Sequence, residues 1–123
     1  SPDDDKTAVD MMAAADCVAT GQITYAARNS DFDGYDIKEG DILAMENGKL
    51  VFTETDYLKA AVKLTAKMCS KHTGFVTLIY GSDVTDKQAE EVTDALRLKL
   101  GSDVEVSALA GGQPIYYFII SVE

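Results

Sequence analysis

The sequence predicts an α/β fold, a mixed sheet of about five or six strands packed with two or three helices. Three observations carry that expectation. The hydrophobic period switches from two to about 3.6 and back along the chain. An Asn47-Gly48 pair separates two apolar runs, a strong hairpin signal because both residues tolerate positive φ. Finally, Ile115, Tyr116, Tyr117, Phe118, Ile119, Ile120 and Val122 form a β-branched and aromatic run, as expected of a strand buried on both faces. With 123 residues the chain is long enough for one domain around one core. The expected division is a linker remnant over residues 1–9 and a single domain over residues 10–123.

Residues 7–20 are alanine-rich and helix-prone, with Gly21 placed to stop that helix. In residues 22–28, Ile23, Tyr25 and Ala27 alternate with polar or small neighbours, which predicts a half-buried strand. Residues 29–41 read as a turn-rich acidic connection, and ILAM and KLVF as the two arms of the hairpin. From Asp56 onward, Leu58, Ala61, Val62, Thr65, Met68 and Cys69 share one helical face. Lys59, Lys63, Lys67 and Lys71 form a solvated stripe on the other face, and the helix is expected to end near His72 with Gly74 as its cap. Residues 75–80 predict a buried strand. Thr85 and Gln88 form a capping box for a second helix, with Ala89, Val92, Leu96 and Leu100 inward and Gly101 as its stop. Strands follow at 104–109 and 115–122. Strands joined by helices are expected to be parallel neighbours, whereas the short turn at 111–114 makes the last strand antiparallel or carries it elsewhere.

The net charge of −10 argues against nucleic acid or an anionic bilayer as a partner, since both call for a basic surface. No apolar stretch reaches membrane-span length, so membrane insertion is not expected. Cys17 and Cys69 lack metal-ligand spacing and read as reduced thiols of a cytoplasmic protein. The opening SPDDDK resembles a linker, and the apolar run at the other end suits an integral strand. Together they suggest a C-terminal domain cut from a longer chain.

Chemistry is sparse. Asn29, Asp31, Asp33 and Gly34 match the first half of a calcium loop, but Gly40 stands where the bidentate Glu belongs. The segment therefore reads as an acidic turn, and no metal site is expected. His72 reads as a helix-end residue rather than a catalytic base. Tyr80, Ser82 and Asp83 lie at the end of a strand just before a helix, where ligands of α/β sheets gather. They form the possible ligand pocket, set against a plain capping role. No catalytic residues are assigned.

The segments TYAARNSDFDG, IKEGD, ENGKLV, LIYGSDVTDKQAEEV and GGQPIYYFIISVE together resemble the C-terminal domain of the ATP-binding component of bacterial fatty acid kinase, within a dihydroxyacetone-kinase-like family. The resemblance implies that ATP and Mg²⁺ belong to other domains of the parent protein and that this fragment needs no cofactor. From residue 41 onward the order of elements is also similar to the second domain of DegV-like fatty-acid-binding proteins, the acyl-carrying partners of the kinase. Those proteins hold the fatty acid carboxylate with an Arg after the hairpin and a His before the last strand. Here residues 52–57 contain no Arg and residues 110–117 no His. The implied role is non-catalytic docking of the DegV-like partner, with a small-molecule or fatty-acid-sensing module as the alternative. Expected partner contacts are Tyr25, Arg28, Asp31, Asp33, Gly112, Gln113 and Tyr116, which combine loop-tip exposure with residue types common at interfaces.

Overall fold

A computed structural model describes residues 19–32 and 34–123. The helix expected before residue 19, the linker remnant, Cys17 and Asp33 lie outside the described residues. In chain order the elements are β1 (Ala19–Tyr25), β2 (Ser30–Phe32), β3 (Tyr35–Ile37), β4 (Ile42–Glu46), β5 (Lys49–Glu54), α1 (Tyr57–Met68), β6 (Phe75–Tyr80), α2 (Asp86–Leu100), β7 (Glu105–Ala110) and β8 (Phe118–Val122). Six strands form one mixed sheet in the order β5-β4-β1-β8-β6-β7, and β2 pairs with β3 as a separate ribbon. The α/β class with a mixed sheet is the one the sequence predicts.

The hairpin forms where Asn47-Gly48 placed it, with φ of 52° and 84° at those two residues and Glu46 paired to Lys49. The positive φ at both central residues matches the twist of the flanking strands. The capping box of α2 is complete: Gln88 N donates to Thr85 Oγ1 at 3.1 Å and Thr85 N to Gln88 Oε1 at 2.9 Å. The second helix buries Ala89, Val92, Thr93 and Leu96, close to its predicted stripe. In α1 the buried face is Ala60, Ala61, Leu64, Thr65 and Met68, which leaves Leu58 and Val62 half-buried.

Several expectations are corrected. Ala19 and Thr20 are strand rather than helix, and Gly21 stops nothing: it pairs with Glu46 on one side and Ile120 on the other. A Cβ at Gly21 would stand 2.8 Å from Leu64 Cδ2 and 2.9 Å from Met68 Cε, closer than carbon atoms pack. The residue lets α1 settle on β1. Helix α1 stops at Met68 with Cys69 as its cap, so His72 and Gly74 lie beyond it. Gly74 N instead donates to Glu123 O at 2.9 Å. Among the described strands, parallel neighbours arise only across α2, between β6 and β7. Helix α1 carries the chain from β5 at one edge to β6, the strand next to the opposite edge.

The last strand also differs. It begins at Phe118, not Ile115; its placement, antiparallel between β1 and β6, is the second of the two outcomes expected of the short turn, which carries the strand away from β7. All five of its residues are buried, as a strand with cover on both faces requires. Ile23, Ala44, Val76, Leu78, Val106, Phe118, Ile120 and Val122 join Leu64, Val92 and Leu96 of the helices in one core. The 29–41 connection is not featureless, because β2 and β3 form within it. A smaller cluster of Ala26, Ile37 and Leu50 holds that ribbon, and Tyr35 Oη donates to Val51 O at 2.7 Å.

Candidate functional site

The C-terminal ends of β1 and β6, which run in the same direction on either side of β8, meet the segment leading into that strand. Most of the tyrosines gather there. Tyr25 closes β1 and Tyr80 closes β6. Tyr57 opens α1, while Tyr116 and Tyr117 precede β8. The Tyr117 ring centroid lies 5.6 Å from that of Tyr25 and 5.6 Å from that of Tyr57, tilted by 41° and 42°. Such tilted pairs bring positive ring edges toward negative faces.

Backbone hydrogen bonds lock the corner to both strands. Tyr117 N donates to Ile23 O at 2.8 Å and Gly81 N to Tyr117 O at 2.9 Å. Ser82 N donates to Gln113 O at 3.0 Å, and Thr24 Oγ1 to Ile115 O at 2.9 Å. Gln113 reaches back through Nε2 to Ile79 O at 3.1 Å. A Cβ on Gly81 would stand 2.3 Å from Tyr116 O and 2.6 Å from Gln113 O. Only a residue without a side chain lets the two backbones approach so closely.

Of the residues expected to form a ligand pocket, Tyr80 and Ser82 are hydrogen-bonded to the chain's own corner, through Gly111 N to Tyr80 O at 2.9 Å and Ser82 N to Gln113 O. The crevice beyond β6, where a ligand of an α/β sheet usually sits, is occupied by residues 113–117. Tyr80 Oη donates to Asp86 Oδ1 at 2.7 Å. That bond holds the phenol proton and raises the Tyr80 pKa, with smaller contributions from desolvation and the Asp86 charge. Burial raises the Tyr57 pKa, helped by the negative charges of Glu91 and Asp56 and by Tyr117. Ser82 and Asp83 are exposed, and the first donors of α2 serve its own capping box.

What the corner presents outward is apolar and aromatic. Tyr25, Ile115 and Tyr116 are exposed by 37%, 57% and 36%, large values for side chains of this kind. Ile115 has a φ of 75°, and Tyr116 N donates to Pro114 O at 2.8 Å across it. This is the positive-φ form of the γ-turn, which is rare and strained, and doubly so for a β-branched residue. No local signal announces it, since Ile115 reads as the first residue of a strand. Arg28, exposed in the loop after β1, forms no ion pair among the described residues. Asp31 lies in the β2–β3 ribbon, Gly112 has a φ of 66°, and both are exposed. The structure thus joins Tyr25, Gln113 and Tyr116 with Tyr80 and Ser82 at one corner and sets Asp31 on the separate ribbon. Among the described residues no group of three or more His, Cys, Asp or Glu could hold a metal ion.

Comparison with known proteins identifies the group to which this architecture belongs. The family model for the C-terminal domain of FakA-like fatty acid kinase subunits matches residues 1–123. The chain belongs to this family. It is 34% identical over 125 residues to protein YloV of Bacillus subtilis, covering 100% of this chain and 22% of YloV. An uncharacterized protein of Staphylococcus haemolyticus is 31% identical over 113 residues, covering 92% of this chain and 20% of that protein. One from Staphylococcus aureus strain USA300 is 31% identical over 106 residues, 86% of this chain and 19% of that protein. This member of the family thus spans about a fifth of the length of the curated relatives it matches. Among the described residues no helix is long and apolar enough to cross a membrane.

Proposed function

We propose that this chain is the domain through which a fatty acid kinase docks its DegV-like, acyl-carrying partner, and that the tyrosine corner makes the contact. The observation that carries the reading is Ile115: an exposed β-branched side chain held at positive φ between exposed Tyr116 and Tyr25. Strain of this kind persists where the surroundings impose it, and it concentrates at binding sites. Tyrosine and arginine are the commonest anchors of protein interfaces, and Arg28 is available beside the end of β1. Hydrogen bonds to β1 and β6 hold the corner's backbone in place before any encounter, which lowers the ordering cost of association.

In this reading the domain is not itself catalytic and binds neither ATP nor Mg²⁺; both act in other domains of the parent protein. Titration of the DegV-like partner against purified variants tests the assignment. Tyr116→Ala and Arg28→Ala should each weaken binding by about 1–2 kcal/mol, with circular dichroism unchanged. Wild-type affinity in both folded variants would remove the corner from the interface. A loss seen only on neutralising Lys59, Lys63 and Lys67 would transfer the interface to α1.

A further inference from the structure

Both described helices pack on one face of the sheet, the face that carries Ile23, Ala44, Leu78, Phe118 and Ile120. Side chains alternate along a strand, so the residues between these point to the other face. There Ser121 lies between Thr20 and Thr77, and Ile119 between Gln22 and Ile79. Two described segments reach this second face. The corner covers one end, where Thr24 Oγ1 donates to Ile115 O, and the β2–β3 ribbon covers the β4–β5 side through Ile37 and Leu50. Ser121 is two residues beyond Ile119, away from the corner, and two strands away from β4, yet it is only 1% exposed. Such burial at the middle of a sheet requires cover on that face. An apolar cleft of about 170 Å³, lined by Ser30, Ile37, Leu43, Met45 and Leu50, adjoins the same floor.

The chain itself arrives at this floor. Ala19 pairs with Val122, so the backbone enters β1 beside the Ser121 end of β8. Over residues 7–18 the sequence sets Ala8, Met11, Met12, Ala15 and Val18 at the spacing of one helical stripe. A helix of that length would run ~18 Å, which matches a five- or six-residue strand of ~17–20 Å. Alanines allow close approach to a floor of short hydroxyl side chains, and methionine adapts to an irregular cleft. Attachment also favours this occupant. A tethered segment acts at an effective concentration of about millimolar and avoids most of the translational cost of a separate partner. A second copy is repelled by its own net charge of −10. We propose that residues 7–18 dock across the second face of the sheet as its cover, the stripe of Ala8, Met11, Ala15 and Val18 against Thr77, Ile119 and Ser121. The inference does not depend on the docking corner.

Paramagnetic broadening of methyl resonances in the full chain tests this, with Cys17→Ser and Cys69→Ser as background. A nitroxide on Asp10→Cys should broaden the methyls of Ile79 and Ile119 far more than those of Leu64 and Leu96 on the opposite face. Met11→Asp/Ala15→Asp should abolish that contrast in a protein that retains its circular dichroism spectrum. The same pair should speed the reaction of a Thr77→Cys thiol with a thiol reagent at least about tenfold. If the double variant fails to fold, Ala15→Asp alone carries the comparison. Equal broadening on the two faces would overturn the proposal. So would a Thr77→Cys thiol that reacts equally fast with and without the Asp substitutions. Broadening passed from a nitroxide-bearing chain to an isotope-labelled chain without one would assign the face to a second copy. Protection of Thr77→Cys only on adding the DegV-like partner would assign it to that protein, and either result overturns the proposal.

Discussion

Strand β8 and the β2–β3 ribbon lie at opposite extremes of burial. All five residues of β8 are buried and hydrogen-bonded to a strand on either side. The ribbon rests on three buried residues, Ala26, Ile37 and Leu50, with Tyr35 as a tether. Burial in β8 is collective, because Phe118, Ile120 and Val122 fill space shared with two neighbouring strands and the helices. In the ribbon it is local, so the ribbon can open while the sheet persists. A buried apolar residue thus counts for as much as the elements that share it.

Removing residues 118–123 should have the largest effect. It would expose one edge each of β1 and β6 and strip Phe118, Ile120 and Val122 from the core, and cooperative thermal unfolding should vanish. The single change Phe118→Ala should cost about 3–5 kcal/mol in chemical denaturation. A truncated chain that melts near the parent temperature would place β8 at the periphery of the fold.

Ile37→Ala should cost less, about 2 kcal/mol, at the low end for such deletions because the small cluster can collapse around the gap. Native-state hydrogen exchange should show faster exchange in β2 and β3, with protection in β1, β6 and β8 retained. Uniform loss of protection across the sheet would show that ribbon and core unfold as one unit.

The smallest effect is a pH effect at the corner. Tyr80 donates to Asp86, and its pKa is raised. Both folded and unfolded chains hold this phenol proton below pH about 10, the ordinary tyrosine value. Its contribution is therefore complete there and is lost as pH rises through the higher folded value. In alkaline difference spectroscopy one late-titrating tyrosine should disappear in Tyr80→Phe, and Asp86→Asn should bring its titration earlier. Identical titration curves in the wild type and both variants would remove the bond from the corner's description.

Local chemistry was readable in the sequence, and long-range placement was not. The Asn47-Gly48 turn, the Thr85–Gln88 capping box and the stripe of α2 each depend on residues a few positions apart, and each forms where predicted. Gly21 misled because a helix stop and a close approach to Leu64 demand the same residue. Ile115 misled because strand propensity describes a pleated, half-buried surface, whereas here hydrogen bonds from Thr24 and Tyr116 hold the segment in a turn. For the candidate site, local pattern placed Tyr80 and Ser82 at a strand end, Gln113 in a turn and Tyr116 in the strand expected to follow it. That the second group fills the crevice of the first depends on pairing between residues more than thirty positions apart.

The central position of β8 also governs the order of assembly. Strands β1, β4 and β5 form one antiparallel meander, and β6, α2 and β7 form one crossover unit. Within the sheet, only β8 pairs with both halves. Each half can take shape from its own short-range contacts, but their union waits for a strand synthesised after both. During that interval each half presents an unpaired edge, and closure spans nearly the whole described chain, from Ala19 to Val122. Contacts of such range slow folding.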